Sequence, residues 1–291
     1  MSWKIKTALQ LGRVSNLPTV WSNVLAGVAL AGASPLNGYI LPLILAMSLA
    51  YIGGMFLNDA FDRKTDATER PERPIPSGAV KAAEVFAAGF TLLIGSVFFT
   101  GITAIGWGHN IALVTTLSIA LGCTIVLYDV WHKGNLFSPL IMGACRVLVI
   151  LIAGFAATDQ PSIMLFIGAA TMLCYLMGLT YVAKQENLGE VKNLWPLLFL
   201  LAPIACGVVL AFSDIQVVLP TLILALWILY ALYLIRRRAS GDIPKAVVSM
   251  IAGISLVDAL FIASTSSLYF ALLAVAAFCA TLVLQKFVSG T

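Results

Sequence analysis

The sequence predicts an all-α polytopic membrane protein with nine or ten transmembrane helices arranged around a central cavity. Three observations lead there. The composition is 60% hydrophobic and only 10% charged, a combination without a soluble globular counterpart at this length. Charge-free stretches run from Arg13 to Asp59, Glu84 to Asp129, Gln160 to Lys184 and Asn193 to Asp214, and a spanning helix needs roughly 20 apolar residues. The lysines and arginines then recur at intervals that put every basic loop on one side of a ten-span chain.

Division of the apolar stretches at clusters of Gly, Pro, Ser and Asn gives helices over residues 14–33, 39–58, 82–103, 109–128, 136–156, 162–183, 194–212, 216–236, 244–264 and 267–288. The ninth contains Asp258. An acid inside a span is costly, so whether that segment crosses fully decides between nine helices and ten.

Basic residues test the count independently, because they accumulate in cytoplasmic loops. Lys4, Lys6 and Arg13 precede the first helix, and Arg63, Lys64, Arg70, Arg73 and Lys81 lie between the second and third. Lys133 follows the fourth, Lys184 and Lys192 the sixth, Arg236, Arg237, Arg238 and Lys245 the eighth, and Lys286 the tenth. Ten spans place all of these loops, and both termini, in the cytoplasm, and the expected location is a bacterial inner membrane. The exception is Arg146, inside the fifth helix. The net charge of +4 then describes a surface facing anionic membrane lipid, not a nucleic-acid binder. A cleaved signal ending at Ala31-Gly32-Ala33 is disfavoured, because Asn16, Pro18 and Asn23 interrupt the apolar run and its removal would spoil the charge parity. The five cysteines all fall in predicted spans, with neither a disulfide framework nor a zinc pattern.

No soluble domain is expected, and residues 1–291 read as a single membrane domain. The longest polar stretch runs from Asn58 to about Lys81, directly after the second helix. A second acidic pair, Glu186 and Glu190, follows the sixth. The two clusters stand four helices apart on one side. That spacing suggests two related four-helix halves, each lending an acidic helix end to a shared cavity, and two further helices.

Asn58, Asp62 and Asp66 are spaced i, i+4, i+8 and share one face of a helix continuing from the second span. Like charges at that spacing destabilise a bare helix, and a cation between them compensates. Mg²⁺ suits the stripe, since it takes one or two carboxylates, several waters and phosphate oxygens. A phosphorylated ligand is then implied. Acidic spacing alone leaves open the alternative of a solvated loop pairing with Arg63, Lys64, Arg70 and Arg73.

The full string Asn58-Asp59-Ala60-Phe61-Asp62-Arg63-Lys64-Thr65-Asp66, followed by Arg73-Pro74-Ile75-Pro76-Ser77-Gly78, resembles the first signature of the UbiA superfamily of intramembrane prenyltransferases at every position. The resemblance implies Mg²⁺ held by Asn58, Asp62 and Asp66 and by a second acidic motif, an isoprenoid diphosphate donor, and a small, usually aromatic, acceptor within the membrane. It implies Asp62, Asp66 and Glu186 as catalytic residues, Glu186 and Glu190 as the second metal pair, and Arg73 and Lys133 as diphosphate ligands. Arg70, Tyr128, Tyr181 and Lys184 complete the substrate-binding candidates at the same helix ends. The sequence departs from the pattern in two places. The second motif, Tyr181-Val182-Ala183-Lys184-Gln185-Glu186-Asn187-Leu188-Gly189-Glu190, keeps only two acids, both glutamates where aspartates are usual, and Lys133 comes one residue late after Tyr128, with His132 at the usual position and expected to be an interfacial residue.

Inside the membrane, Arg146 lies about two and a half turns deep, where an ionisable group marks either a functional site or a helix-joining ion pair with Asp129 or Asp258. Asn16 and Asn23 share a helix face and either line the cavity or join helices; with Arg146 they enter the substrate-binding set. The segment Gly143-Ala144-Cys145-Arg146 together with the altered second motif is similar to a divergent UbiA-like branch called EboC, associated with secondary metabolites. The expected function is Mg²⁺-dependent prenyl transfer. The alternative is an isoprenoid or metabolite binding or transport protein that keeps the fold and has lost full metal chemistry.

Overall fold

The computed structural model describes residues 3–34, 38–185, 193–265 and 268–290. The described residues form α-helices and short 3₁₀ segments only. A short helix α1 (Ile5–Leu11), which the hydropathy pattern does not announce, leads through a 3₁₀ turn into α2 (Leu17–Leu30). There follow α3 (Ile40–Glu69), α4 (Ala82–Trp107), α5 (Ile111–Trp131), α6 (Ser138–Ala157), α7 (Ile163–Ala183), α8 (Leu201–Ala211), α9 (Val218–Arg237), α10 (Asp242–Ala263) and α11 (Leu268–Leu284). Among the described residues, seven helices are long and apolar enough to cross a membrane. Together with the shorter α2, α8 and α11 they account for the predicted elements.

Three boundaries differ from the hydropathy reading, each for a local reason. The first helix starts at Leu17 rather than residue 14, because Arg13 takes a left-handed backbone (φ 41) that breaks the chain before it. The second runs on for 30 residues through the polar motif to Glu69. The seventh opens as a 3₁₀ segment, Trp195–Leu200, before α8 begins. Pro203 lacks the amide hydrogen that a regular α-helix running on from Trp195 would direct to the Phe199 carbonyl.

The lipid side is carried by α4, α5, α9 and α11, whose outward apolar side chains, such as Ile94, Phe98, Ile119, Leu226 and Leu272, stay exposed. Helices apolar on every face belong in a bilayer. At the centre stands α10, packed by α2, α7, α9 and α11. Its apolar window is 89% buried, so the segment whose crossing Asp258 put in question is the core helix of the molecule.

Small residues set how closely the helices approach, as in other membrane bundles. A Cβ on Gly27 of α2 would stand 2.5 Å from the Ile150 carbonyl oxygen and 2.7 Å from the Ala153 Cβ of α6. Neither is the tip of a flexible side chain, so relief requires moving a helix. Gly27→Val is expected to destabilise the fold by about 1–3 kcal/mol, read as a lowered midpoint of thermal unfolding in detergent; an unchanged midpoint would show that α2 and α6 are not in this contact.

Candidate active site

The site begins with the uninterrupted helix α3. Because the helix does not stop where the apolar run ends, its periodicity keeps Asn58, Asp62 and Asp66 on one face. All three are at most 9% exposed and line a cavity of about 290 Å³. Arg13, Arg70, Arg73, Tyr128, His132 and Lys133 share its polar mouth. Deeper in, Met55 of α3, Met142 of α6, Leu176 and Leu179 of α7 and Ile251 and Ile254 of α10 make an apolar wall. A polar mouth over an apolar interior is the expected form of a site for an amphipathic ligand.

Acids and bases alternate across the mouth. Arg73 Nη1 donates to Asp66 Oδ2 at 2.8 Å and lies 3.4 Å from Asp59 Oδ1. Lys133 Nζ is 3.0 Å from Asp62 Oδ1. Arg13 Nη2 lies 3.2 Å from Asp59 Oδ1 and 3.4 Å from Asn58 Oδ1. His132 Nε2 stands 3.4 Å from Asp62 Oδ2, while its Nδ1 is 3.2 Å from the Tyr128 carbonyl. Both ring nitrogens thus face oxygens of the site. His132 therefore belongs to the cavity, stacked on Tyr128 at 5.0 Å between centroids, and is not the plain interfacial residue its position suggests.

The donor set suits a divalent cation of incomplete protein coordination. Among the described residues no three His, Cys, Asp or Glu side chains converge as a closed cage. The stripe instead offers two carboxylates and one amide oxygen on a single face beside basic groups. That is the pattern for Mg²⁺ completed by water and phosphate oxygens. Such a site can exchange its internal ion pairs, with the carboxylates turning to metal and the arginines and lysine to phosphate.

The remaining predicted residues divide by place. Asn16 lines the cavity and ties the start of α2 to the C-terminal segment: its Nδ2 donates to the Gly290 carbonyl at 2.9 Å and its Oδ1 accepts from Gln285 Nε2 at 3.0 Å. Arg146 also reaches the cavity. Asn23 does not; it is fully buried and joins helices instead. Its Nδ2 donates to both Asp258 oxygens at 2.9 and 2.8 Å, and its Oδ1 accepts from Arg146 Nη1 at 2.7 Å. The Arg146–Asp258 partnership is thus relayed through an amide rather than made directly. Asp129 pairs with Asn58 Nδ2 at 3.1 Å, not with Arg146.

Tyr181 packs against the hydrophobic core of the second half of the chain. Lys184 donates to the Asn135 carbonyl at 2.6 Å, and partial burial holds its ammonium below the usual lysine pKa. Neither lines the cavity. Glu186 and Glu190 lie outside the described residues, although Thr180 and Ala183 just before them do line it. Residues that the sequence reading did not assign to the site are Arg13, Tyr51 and Asp129. Arg13 resembles any inside-facing basic residue until the left-handed turn carries it beneath Asn58 and Asp59.

This arrangement coincides with a family-level match. Residues 20–254 match the model of the UbiA prenyltransferase family. The chain belongs to that family. UbiA-family relatives similar to it include the digeranylgeranylglyceryl phosphate synthase of Methanosarcina mazei, 30% identical over 183 residues, covering 58% of this chain and 62% of that one. The chloroplastic chlorophyll synthase of Arabidopsis thaliana is 33% identical over 135 residues, 43% of this chain and 33% of its own. The protoheme IX farnesyltransferase of Sulfurisphaera tokodaii is 32% identical over 142 residues, 47% of this chain and 42% of its own. The matched segments thus span less than two thirds of these relatives' lengths. Two solved structures share the fold: one from work on digeranylgeranylglyceryl phosphate synthase in membranes, with a TM-score of 0.62 at 19% identity over 90% of this chain and 98% of that one, and an apo UbiA homologue from Aeropyrum pernix K1, with 0.66 at 13% identity over 84% and 94%.

Proposed function

We propose that the protein transfers a prenyl group from an isoprenoid diphosphate to a small, aromatic acceptor inside the membrane, with residues 1–291 acting as one domain. The observation that carries this reading is the single cavity in which the carboxylates of Asp62 and Asp66 stand beside Arg73, Lys133 and Arg13, above an apolar wall. Names of the relatives support it, since they describe synthases and a farnesyltransferase.

In this reading Asn58, Asp62 and Asp66 hold Mg²⁺, joined by Glu186 and Glu190. The ion would supply neutralisation of the diphosphate as it becomes a leaving group. The chain's own residues do the remaining work. Arg73, Arg13, Arg70 and Lys133 bind the outer phosphate oxygens, and His132 adds a further donor. The wall formed by Met55, Leu176 and Ile254 takes the prenyl tail and keeps water from the allylic cation. In this reading the mouth opens on the cytoplasmic side of a bacterial inner membrane, which the accumulation of basic residues at that end of the bundle supports.

The test is binding of labelled prenyl diphosphates to purified protein. Binding is expected to require Mg²⁺ and to be lost in Asp62→Ala. A donor that binds equally well with a chelator present, or equally well to Asp62→Ala, would remove the reading. Release of stoichiometric pyrophosphate on addition of acceptor separates the transferase from a mere isoprenoid carrier.

A further inference from the structure

Beside the main cavity lies a second chamber of about 370 Å³, polar almost throughout. Arg13, Arg70 and Arg73 line both spaces and form the wall between them. On the far side of that wall stand Gln10, Asp59, Glu72, Pro74 and Ser289, with no large apolar side chain among them. Asp59 at the floor is 7% exposed, whereas Gln10, Glu72 and Ser289 at the rim are exposed. A recess with a charged floor and a polar rim opens to water and not to acyl chains. The C-terminal segment completes the partition: Ser289 lines the recess and Gly290 the cavity, where Asn16 Nδ2 donates to the Gly290 carbonyl at 2.9 Å.

Two of the shared arginines straddle the wall. Arg73 Nη1 reaches Asp66 Oδ2, which lines the cavity, at 2.8 Å, and Asp59 Oδ1, which lines the recess, at 3.4 Å. Arg13 Nη2 is placed in the same way, between Asn58 Oδ1 on the cavity side at 3.4 Å and Asp59 Oδ1 at 3.2 Å. Each guanidinium therefore has an oxygen partner in both spaces, and a small rotation exchanges one for the other. Asp59 accepts both arginines through a single oxygen, so it ties them to the recess without lining the cavity itself. An anion that crosses between two compartments is costly to strip of its counter-charge. A cation able to turn from one compartment to the next removes that cost.

We propose that the recess is the way out for inorganic diphosphate, and that Arg13 and Arg73, tethered by Asp59, pass the anion from the cavity to water. The proposal rests on the prenyl-transfer reading above. That reaction gives two products of opposite solubility. The prenylated acceptor returns to lipid past the apolar wall, but a diphosphate carries several charges and that wall is closed to it. The donor is held in the bilayer by its tail, so it reaches the mouth from the apolar side, and its leaving group departs from the polar one.

The test is a pair of rates, association and dissociation, for radiolabelled inorganic diphosphate with the protein in nanodiscs and Mg²⁺ buffer. Gln10 does not line the cavity, so substitutions there leave the donor site alone. Gln10→Trp narrows the rim by size, and Gln10→Glu, close to the original in shape, sets a like charge on it. A group on a passage changes the barrier and not the bound state. Each variant is therefore expected to lower both rates by one factor, about fivefold or more, with Kd unchanged. The Gln10→Glu effect should fade in about 1 M salt, which screens charges beyond about 3 Å, while the Gln10→Trp effect persists. Unchanged rates in both variants overturn the route, as does a shift in Kd, which would make Gln10 part of a binding site. Association of a prenyl thiodiphosphate should keep its rate in both variants, and an equal slowing would make the recess a common entrance and overturn the assignment. Absence of Mg²⁺-dependent thiodiphosphate binding by the unaltered protein counts against prenyl transfer itself. Its presence, with diphosphate rates indifferent to both variants, counts against the recess alone.

Discussion

Asp62→Asn and Asp66→Asn are each expected to lower turnover by about 10²–10³-fold, while Asp59→Asn costs roughly tenfold, as measured by prenyl transfer at saturating Mg²⁺ and donor. All three aspartates are buried, lie within eight residues of one helix and are paired with bases, so charge loss alone does not separate them. The separation comes from where they point. Asp62 and Asp66 line the cavity with Asn58, whereas Asp59, one residue on around the helix, faces a neighbouring polar recess with Gln10, Glu72 and Pro74. There it anchors Arg13 and Arg73 at 3.2 and 3.4 Å. Removing its charge loosens two of the proposed phosphate ligands but leaves the proposed metal face intact. Equal losses at all three positions would mean that the cavity is not the reaction site.

The second large effect is on stability. Asn23→Leu is expected to cost about 3–5 kcal/mol, since it strands two buried charged groups at once. Of their hydrogen bonds Asp258 would keep only the one from Ser22 Oγ, at 2.6 Å, and Arg146 only its two to Thr19. Leucine matches asparagine in size, so the loss is of hydrogen bonding and not of packing. Combining Asn23→Leu with Asp258→Leu and Arg146→Met should recover most of the stability, because an apolar replacement of the whole set leaves no group unpaired. Thermal unfolding in detergent reads both. A mild single substitution, or a triple variant no better than the single one, would show that the charges find other partners.

The arrangement of the spans was legible because a bilayer imposes length and polarity on each of them. An apolar run bounded by charge has few alternatives to a helix, and the one-sided distribution of basic residues counted the crossings independently. The metal-type stripe was legible for a related reason: Asn58, Asp62 and Asp66 lie on one helix, where spacing alone determines their common face. The extra helix α1 and the 3₁₀ opening before α8 were not legible, since short segments near prolines and termini follow local hydrogen bonding that hydropathy does not report.

Other features depended on contacts between distant segments. Arg13 lies 45 positions before Asn58, and no periodicity links them. His132 read as interfacial because its contact with Asp62 crosses from α5 to α3. Asn23 was equally compatible with a cavity wall or a helix joint, and the fold chose the joint by bringing Asp258 against it from 235 residues away.

By itself, then, the sequence determined that this is a bundle of membrane-spanning helices with a metal-type acidic stripe of one family at one helix end. Local spacing and the low dielectric of lipid leave little freedom on either point. Only the tertiary structure decided which bases meet those acids, that the helix carrying Asp258 is the core, and that Asp129 joins α5 to Asn58 of α3. Pairings across helices depend on how closely small residues let the helices approach, and that distance is written in no single segment of the chain.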